Sequence, residues 1–460
     1  MLINALRTLI TSGRNKGIIR NVHSEFAKPL GKNYWRLWVA HAVSNLGDGI
    51  SQVAYPWLAS AVTRSPLLIA AVAVASRLPW LVFTLPAGVI TDRFDRRKII
   101  IAMDITRAFL ALLVAVAVTF EVDTLPALDT VGSGIDLATN WFLYTVLIVT
   151  ALLFGCAEVL RDNSAQTFLP EVVEADQLES ANGKLWSVEF VTNSFVGPPL
   201  GSFLIGIFVF LPFYFDTATF FVSAALIATL ATIARPVKPQ AEKKALNFRA
   251  EIKEGFTWLW KHELLRPMAI ILGCLNGLGA ITAATFILFA QEILDTSVFI
   301  FAILGTAGAI GGTVGGILGP KISAKLGSGP SLYLTLLSAP VITLIIGLTS
   351  SWQLFWALTA IGTCFAVLWN VITVSLRQSI IPSHLLGRVN SVYRFFAWGS
   401  LPIGTLIGGA LVDLVQLTGD RELALRLPYL LVTVAGLLLF FFAAPRLTTA
   451  KIESARKAAN

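Results

Sequence analysis

Apolar residues run along this chain in long blocks separated by short polar stretches. Twelve blocks are each long enough to cross a hydrocarbon core of about 30 Å as a helix. They cover approximately 35–62, 67–91, 98–120, 140–163, 183–209, 212–234, 266–291, 297–320, 330–350, 352–377, 389–413 and 426–445. The pattern predicts an all-α membrane protein with twelve transmembrane helices. The stretch 235–265 interrupts the series. Its first part is polar, with Pro236, Pro239, Lys243 and Lys244. In its second part Phe248, Ile252, Phe256, Leu259 and Trp260 recur at helical spacing, which predicts an amphipathic helix on the membrane surface. The expected units are thus a segment 1–34, a six-helix half 35–234, the linker 235–265, a second half 266–446 and a tail 447–460. Segment 1–34 is basic, and Leu2, Leu6, Leu9 and Ile10 give it some helical periodicity. A surface helix and a free tail both fit it. It lacks an apolar run followed by a small-residue cleavage site, so no cleavable leader is expected.

Composition agrees with the pattern. Of 460 residues, 55% are hydrophobic and 13% are charged, where a soluble chain carries roughly a quarter charged. Mean hydropathy is +0.74. The net charge of +8 lies in the stretches between apolar blocks rather than on one polar domain, so a nucleic-acid surface is not expected. Arg64, Arg421 and Arg426 fall in loops on one side of the predicted bundle, and Arg77, Arg107 and Arg161 fall within blocks. All the other Lys and Arg of the total of 35 fall on the opposite side. By the positive-inside bias that side is cytoplasmic, with both termini on it. Trp35, Trp38, Trp141 and Trp352 stand at block ends, as in an aromatic belt. Cys156, Cys274 and Cys364 lie inside apolar blocks and read as small buried residues, not as a disulfide framework. The four histidines show no metal-ligand spacing. No nucleophile–base pair, metal cluster or phosphate-binding glycine loop is visible, so neither an enzyme, direct ATP use nor a cofactor is expected.

Charge inside a span is costly, and each instance is a candidate for function. Asp48 lies midway along the first block and Arg77 midway along the second. Glu189 is about two turns into the fifth. These three are the candidates for proton coupling or substrate binding. Asp48 and Arg77 also fit a buried ion pair, and Glu189 a pair with Arg161 or Arg107. Glu158, Arg161 and Asp162 cluster near the inner end of the fourth block, and Asp104 and Arg107 lie one turn apart in the third. Phe83, Trp57, Trp186, Trp369, Phe365 and Trp398 are expected to line an apolar, aromatic cavity suited to lipophilic or weakly cationic molecules. In the fifth block Pro198 and Pro199 remove backbone donors and bend the helix, while Gly197 and Gly201 permit close packing. Faint repetition accompanies this. Asn182 precedes Gly197-x-x-x-Gly201 as Asn390 precedes Gly404-x-x-x-Gly408, and Asn45-Leu46-Gly47 is echoed by Asn276-Gly277. Repeated halves are a property of alternating-access transporters.

One loop is more specific. Between the second and third blocks stand Gly88, Asp92, Arg93, Arg96 and Arg97, and six of the seven residues from Asp92 to Lys98 are charged. The pattern Gly-x-x-x-Asp-Arg-x-x-Arg-Arg at this place resembles motif A of the major facilitator superfamily. Gly319 to Gly327 repeats it weakly, without the acid and the arginine pair. Asn45 to Ile50, Leu85 to Gly88, Leu169 to Val173 and Ala181 to Gly183 resemble the branch of enterobactin exporters, macrolide efflux pumps and transmembrane secretion effectors. Gly197-Pro198-Pro199-Leu200-Gly201 is similar to motif C of antiporters, although Ser202 stands where a second glycine is common.

The resemblance implies proton-driven export of an amphiphilic small molecule such as a drug, antibiotic or siderophore, by a monomer in the cell membrane. It further implies a cytoplasmic gate in which the motif-A residues work with Glu158, Arg161 and Asp162. An importer, a lipid translocator of the same fold and a non-transporting scaffold or sensor are the alternatives.

Overall fold

The computed structural model describes residues 30–126, 137–174, 177–230, 248–382 and 385–459. The expectations for the first 29 residues and for the polar part of the linker lie outside the described residues. Every described secondary-structure element is helical. In chain order the α-helices are α1 (Lys32–Val62), α2 (Pro66–Val82), α3 (Thr84–Arg93), α4 (Arg96–Phe120), α5 (Trp141–Phe168), α6 (Leu178–Phe190), α7 (Gly197–Ile207) and α8 (Leu211–Ala228). After the gap come α9 (Phe248–Lys261), α10 (Leu265–Ala283), α11 (Phe286–Glu292), α12 (Val298–Leu326), α13 (Ser328–Leu348), α14 (Trp352–Ile380), α15 (Leu386–Gln416), α16 (Arg421–Ala443) and α17 (Thr449–Ala459). Several start on a short polar residue whose side chain accepts from a first-turn amide. Ser65, Asp95, Asn140, Ser297, Ser351 and Asp420 do this for α2, α4, α5, α12, α14 and α16.

Among the described residues, ten helical stretches are long and apolar enough to cross a membrane, which makes this a multi-pass membrane protein. The first two predicted blocks fall outside that set for opposite reasons. α1 has 31 residues but carries Asn45, Asp48 and Gln52 along its length. α2 is apolar but has 17 residues. The block 67–91 breaks at Phe83, because Pro86 lacks the amide that would close the turn onto Val82 and its ring crowds that carbonyl. The fifth block is continuous but changes pitch. Pro198 and Pro199 donate nothing to the preceding turn, and Val191–Val196 relaxes there into a π-helix. The amphipathic helix is present as α9, but its apolar face is turned onto α15. Gly255 abuts the Arg388 backbone, Glu254 pairs with Arg388 at 2.6 Å, and Trp260 stacks on Phe396. The predicted tail is mostly helix α17, anchored by Ile452 at 1% exposure.

Packing differs between the two ends of the bundle. At the end carrying Arg64, one core draws on residues from both sides of the 231–247 gap, among them Trp57, Phe213, Phe289, Phe301, Phe355 and Tyr429. At the end carrying Arg96, the cores are separate. Those around Tyr34 and Phe168 and around Ala87 and Val159 use residues before the gap, and the one around Leu265 and Tyr393 uses residues after it. Among the described residues, then, the buried core is shared at the Arg64 end and split into separate cores at the Arg96 end.

Candidate functional site

The site is built on one face of α1. Ser44, Asp48, Ser51 and Tyr55 are spaced four, three and four apart, so they form a single stripe. Opposite them α4 presents Asp104 and Arg107, one turn apart. α8 presents Asp216, Thr219 and Ser223 at helical spacing, and α5 presents Glu158, Arg161 and Asp162.

Arg107 ties these helices together. It is 1% exposed. Its Nη1 donates to Asp48 Oδ1 at 3.1 Å, and its Nη2 donates to Ser44 Oγ and to Asp104 Oδ1, each at 2.7 Å. The guanidinium also sits 4.1 Å from the Phe220 ring centre, in cation–π geometry. Asp104 has no exposed surface. Its second oxygen accepts from Ser223 at 2.7 Å, and Arg161 Nε lies 3.5 Å from its first. Arg161 also donates to Asp162 at 3.2 Å. Burying this many charges is tolerable only because each guanidinium serves two carboxylates at hydrogen-bond or ion-pair distance.

On the Arg96 side of this network lies a cavity of about 160 Å³ whose walls include His41, Asp48, Glu158, Asp162, Glu189 and Trp186. Its wall combines these carboxylates with apolar residues such as Leu37, Leu169 and Leu185. His41 meets Glu189 at 3.1 Å. A larger cavity of about 380 Å³, between α12, α14 and α17, has Glu453 as its charged wall residue and touches none of the predicted site residues.

The structure thus brings Asp48, Glu158, Arg161, Asp162 and Glu189 around one cavity. Arg77 is exposed on α2, within electrostatic reach of Glu158. Asp48 is paired not with Arg77 but with Arg107, because α1 lies along α8 and meets α2 only near their shared turn. Glu189 is paired with His41 rather than with Arg161 or Arg107.

Of the basic loop, Gly88, Asp92 and Arg93 belong to α3 by backbone, and their side chains lie outside what is described. Arg96 bonds Glu171 at 2.6 Å, and Arg97 donates to the final carbonyls of α8, Ile227 and Ala228, where a cation suits the helix dipole. Neither arginine reaches the Glu158–Arg161–Asp162 cluster in this conformation.

Gly197 and Gly201 hold α7 against α1. A Cβ on Gly197 would stand 2.6 Å from Gly49 Cα, and one on Gly201 2.7 Å from the Ile50 carbonyl. Pro198 is buried beside them. The echo at Gly404 and Gly408 packs in the same manner on α10, where an added Cβ would run into the Gly277 and Ile281 carbonyls.

Of the expected aromatic lining, Trp186 faces the cavity and Trp398 stacks on Trp80. Trp57 and Trp369 are instead packed into the cores, 1% and 3% exposed. Asp216 is the residue that sequence reading passes over. It is 0% exposed, and its helix-mates Thr219 and Ser223 were the available signal. The three cysteines are free.

Three comparisons bear on this geometry. Residues 23–459 match the family model described as transmembrane secretion effector. The multidrug efflux pump Tap of Mycolicibacterium fortuitum is 28% identical over 87% of this chain and 94% of its own. Macrolide efflux protein A of Streptococcus pyogenes is 21% identical over 83% and 89%. Among solved structures, a nucleoside transporter NupG variant superposes with a TM-score of 0.67 at 10% identity, covering 91% of this chain and all of its own.

Proposed function

Because the chain belongs to the transmembrane secretion effector family, of the major facilitator type, we propose that it exports an amphiphilic small molecule with a weakly cationic group by proton-coupled alternating access. The observation that carries this reading is the asymmetry of the bundle around an acidic cavity. The Arg64 end is closed by one shared core, and the carboxylates lie toward the divided Arg96 end. α1 and α2 join the ten other stretches as transmembrane helices. Twelve spans then form the halves 35–234 and 266–446, with segments 1–34, 235–265 and 447–460 on the cytoplasmic face of the cell membrane. Lysine and arginine bias puts the Arg96 end in the cytoplasm. The protein works as a monomer.

A volume of about 160 Å³ is below that of pockets enclosing a whole drug-sized molecule. It fits the polar head of such a molecule, with the apolar remainder lying between the halves. Asp48 holds either the cationic head or a proton, because a single carboxylate facing Arg107 cannot favour two positive partners at once. Proton entry from outside then expels substrate, and cytoplasmic substrate expels the proton. Glu158, Asp162 and Glu189 guide the cation to Asp48. Arg77, outside the wall but within electrostatic reach of Glu158, offsets part of its negative charge. The motif-A residues Gly88, Asp92, Arg93, Arg96 and Arg97 close the cytoplasmic side in the opposite state, meeting Arg161 and its neighbours there. Gly197, Pro198 and Gly201 supply the hinge. The names of the efflux relatives favour export over import.

The test is transport in proteoliposomes with an imposed pH gradient, across a panel that includes tetraphenylphosphonium and neutral macrolides. The wild type is expected to concentrate the cation against its gradient, and Asp48→Asn to lose at least about tenfold of that, as for one charge-assisted contact. Movement without any response to the pH gradient overturns proton antiport. Movement only in the opposite direction overturns export.

A further inference from the structure

The stripe on α1 continues past the cavity. Asp48 is at its wall, with 19% of its side chain exposed. One turn on, the Ser51 hydroxyl lies 2.7 Å from Oδ2 of Asp216 on α8. Asp216 is completely buried. Its other oxygen has the Thr219 Oγ1 at 3.5 Å, a hydroxyl that donates to the Asp216 backbone carbonyl at 2.7 Å. Gly47 makes room for both groups, since a Cβ there would stand 2.1 Å from Asp216 Oδ1 and 2.3 Å from Thr219 Oγ1. The charged and titratable groups facing Asp216 are Asp48 and Tyr55 from α1 and Arg107 from α4; Asp104 of α4 meets α8 at Ser223, two turns farther along. α7 brings no charged side chain. Arg107 is already committed to Asp48, Asp104 and Ser44. The Tyr55 hydroxyl is buried without a partner.

Two buried carboxyls of the same network are therefore surrounded differently. Asp104 is matched by two guanidiniums. Asp216 is matched by the Ser51 hydroxyl, which donates to a carboxylate and accepts from a neutral acid with equal ease, and by the Thr219 oxygen, which is open to accept. A guanidinium can only donate. Hydroxyl partners keep a buried acid hydrogen-bonded in both protonation states, which suits a group that gains and loses a proton without water.

We propose that Asp216 is a second proton-binding site, exchanging with the cavity-facing Asp48 through the Ser51 hydroxyl; this rests on the proton-coupled reading above and deepens it. Asp48 and Ser51 are neighbours on one helix face, about 5–6 Å apart at Cβ, a gap that one water from the cavity spans. The Asp48 proton passes by that water to Ser51 Oγ, and the Ser51 proton passes to Asp216 Oδ2. Asp216 ends neutral, Ser51 is restored, and the new charge on Asp48 faces Arg107 Nη1 at 3.1 Å. Charge and protons balance at each step. The cavity acid is thereby freed for substrate while the proton stays bound in the dry interior.

Infrared spectroscopy of the full chain in lipid bilayers, titrated with pH, reads this directly. A protonated-carboxyl carbonyl band is expected near neutral pH in the wild type and in Asp48→Asn, and its loss is expected in Asp216→Asn. Identical spectra for wild type and Asp216→Asn overturn the assignment. In proteoliposomes loaded with tetraphenylphosphonium, Asp216→Asn is expected to lose the response to a pH gradient. Ser51→Ala is expected to keep the infrared band but respond about tenfold more slowly, since the hydroxyl bond between the two acids is gone. A full response in Asp216→Asn overturns the proposal. A wild type that carries the cation with no gradient response overturns proton coupling instead, and the infrared difference alone then decides whether Asp216 binds a proton.

Discussion

Replacing Arg107 by methionine keeps an unbranched apolar stem and removes the guanidinium with its charge. Asp48 would lose its guanidinium, and Asp104 would keep only Arg161 at 3.5 Å and the Ser223 hydroxyl. Breaking a buried ion pair from one side costs about 3–5 kcal/mol, because the stranded charge has no water to turn to. Arg107→Met is therefore expected to lower the melting temperature of the detergent-solubilised protein sharply. Arg107→Lys is expected to fall between, since one ammonium cannot reach Ser44, Asp48 and Asp104 together. Arg96→Ala provides the contrast. Its pair with Glu171 is 31% and 36% exposed, so the loss should stay within about 1 kcal/mol. If Arg107→Met melts like Arg96→Ala, the buried network does not hold α1 to α4. Asp48 was legible in the sequence because a charge in an apolar block stands out. Its partner was not, since the choice of Arg107 over Arg77 depends on how α1 is rotated against α4 and α8. Asp216 was hidden for a related reason: the glycine that accommodates it, Gly47, lies 169 positions away by the numbering.

At the scale of elements, block positions were legible because membrane thickness dictates length. Breaks inside blocks were legible only where proline supplies them. Pro86 splits 67–91 and Pro198-Pro199 opens the π-turn, but the interruption between α10 and α11 at Thr285 carries no such mark. Two small-xxx-small pairs were visible, and the structure gives them equivalent work, α7 on α1 and α15 on α10. This sets a prediction with a built-in control. A Cβ on Gly201 would meet the backbone of Ile50 at 2.7 Å, and backbone cannot step aside, whereas nothing lies within 4 Å of the Cβ position of Gly206. Gly201→Val is expected to cost about 1–3 kcal/mol or more through overpacking and to reduce the monodisperse fraction on size-exclusion chromatography. Gly206→Val, one and a half turns away on the same helix, is expected to elute as wild type. Equal behaviour of the two variants would mean that the α1–α7 contact is not tight.

For the whole molecule, the closed end is held by more than its aromatic core. Arg64 donates to Gln291 Oε1 at 2.8 Å and also pairs with Glu292. Arg421 meets both oxygens of Glu292, at 2.9 and 3.0 Å, and its Nη2 donates to the Arg64 carbonyl at 3.3 Å. Ser65 donates to Asp413 at 3.1 Å. Two arginines, one before and one after residues 231–247, thus converge on a single carboxylate, Glu292. Arg64 and Glu292 are 228 positions apart, a pairing no local spacing announces. Glu292 is the shared acceptor, with 11% of its side chain exposed. Under the alternating access proposed above, opening this end breaks these bonds, so weakening them is expected to shift the balance of states instead of merely loosening the fold. Glu292→Gln leaves the two guanidiniums facing each other with one neutral acceptor. The open population at this end should rise by a coupling of about 1–3 kcal/mol, or roughly 5–150-fold. Spin labels at the exposed positions Thr124 and Ser351, with Cys156, Cys274 and Cys364 replaced, would report it as a growing long-distance component in pulsed electron paramagnetic resonance. Glu422→Gln serves as the control, since Glu422 is 67% exposed and pairs within its own helix with Arg426. A distance distribution in Glu292→Gln that overlays the Glu422→Gln control would show that the aromatic core alone keeps this end closed.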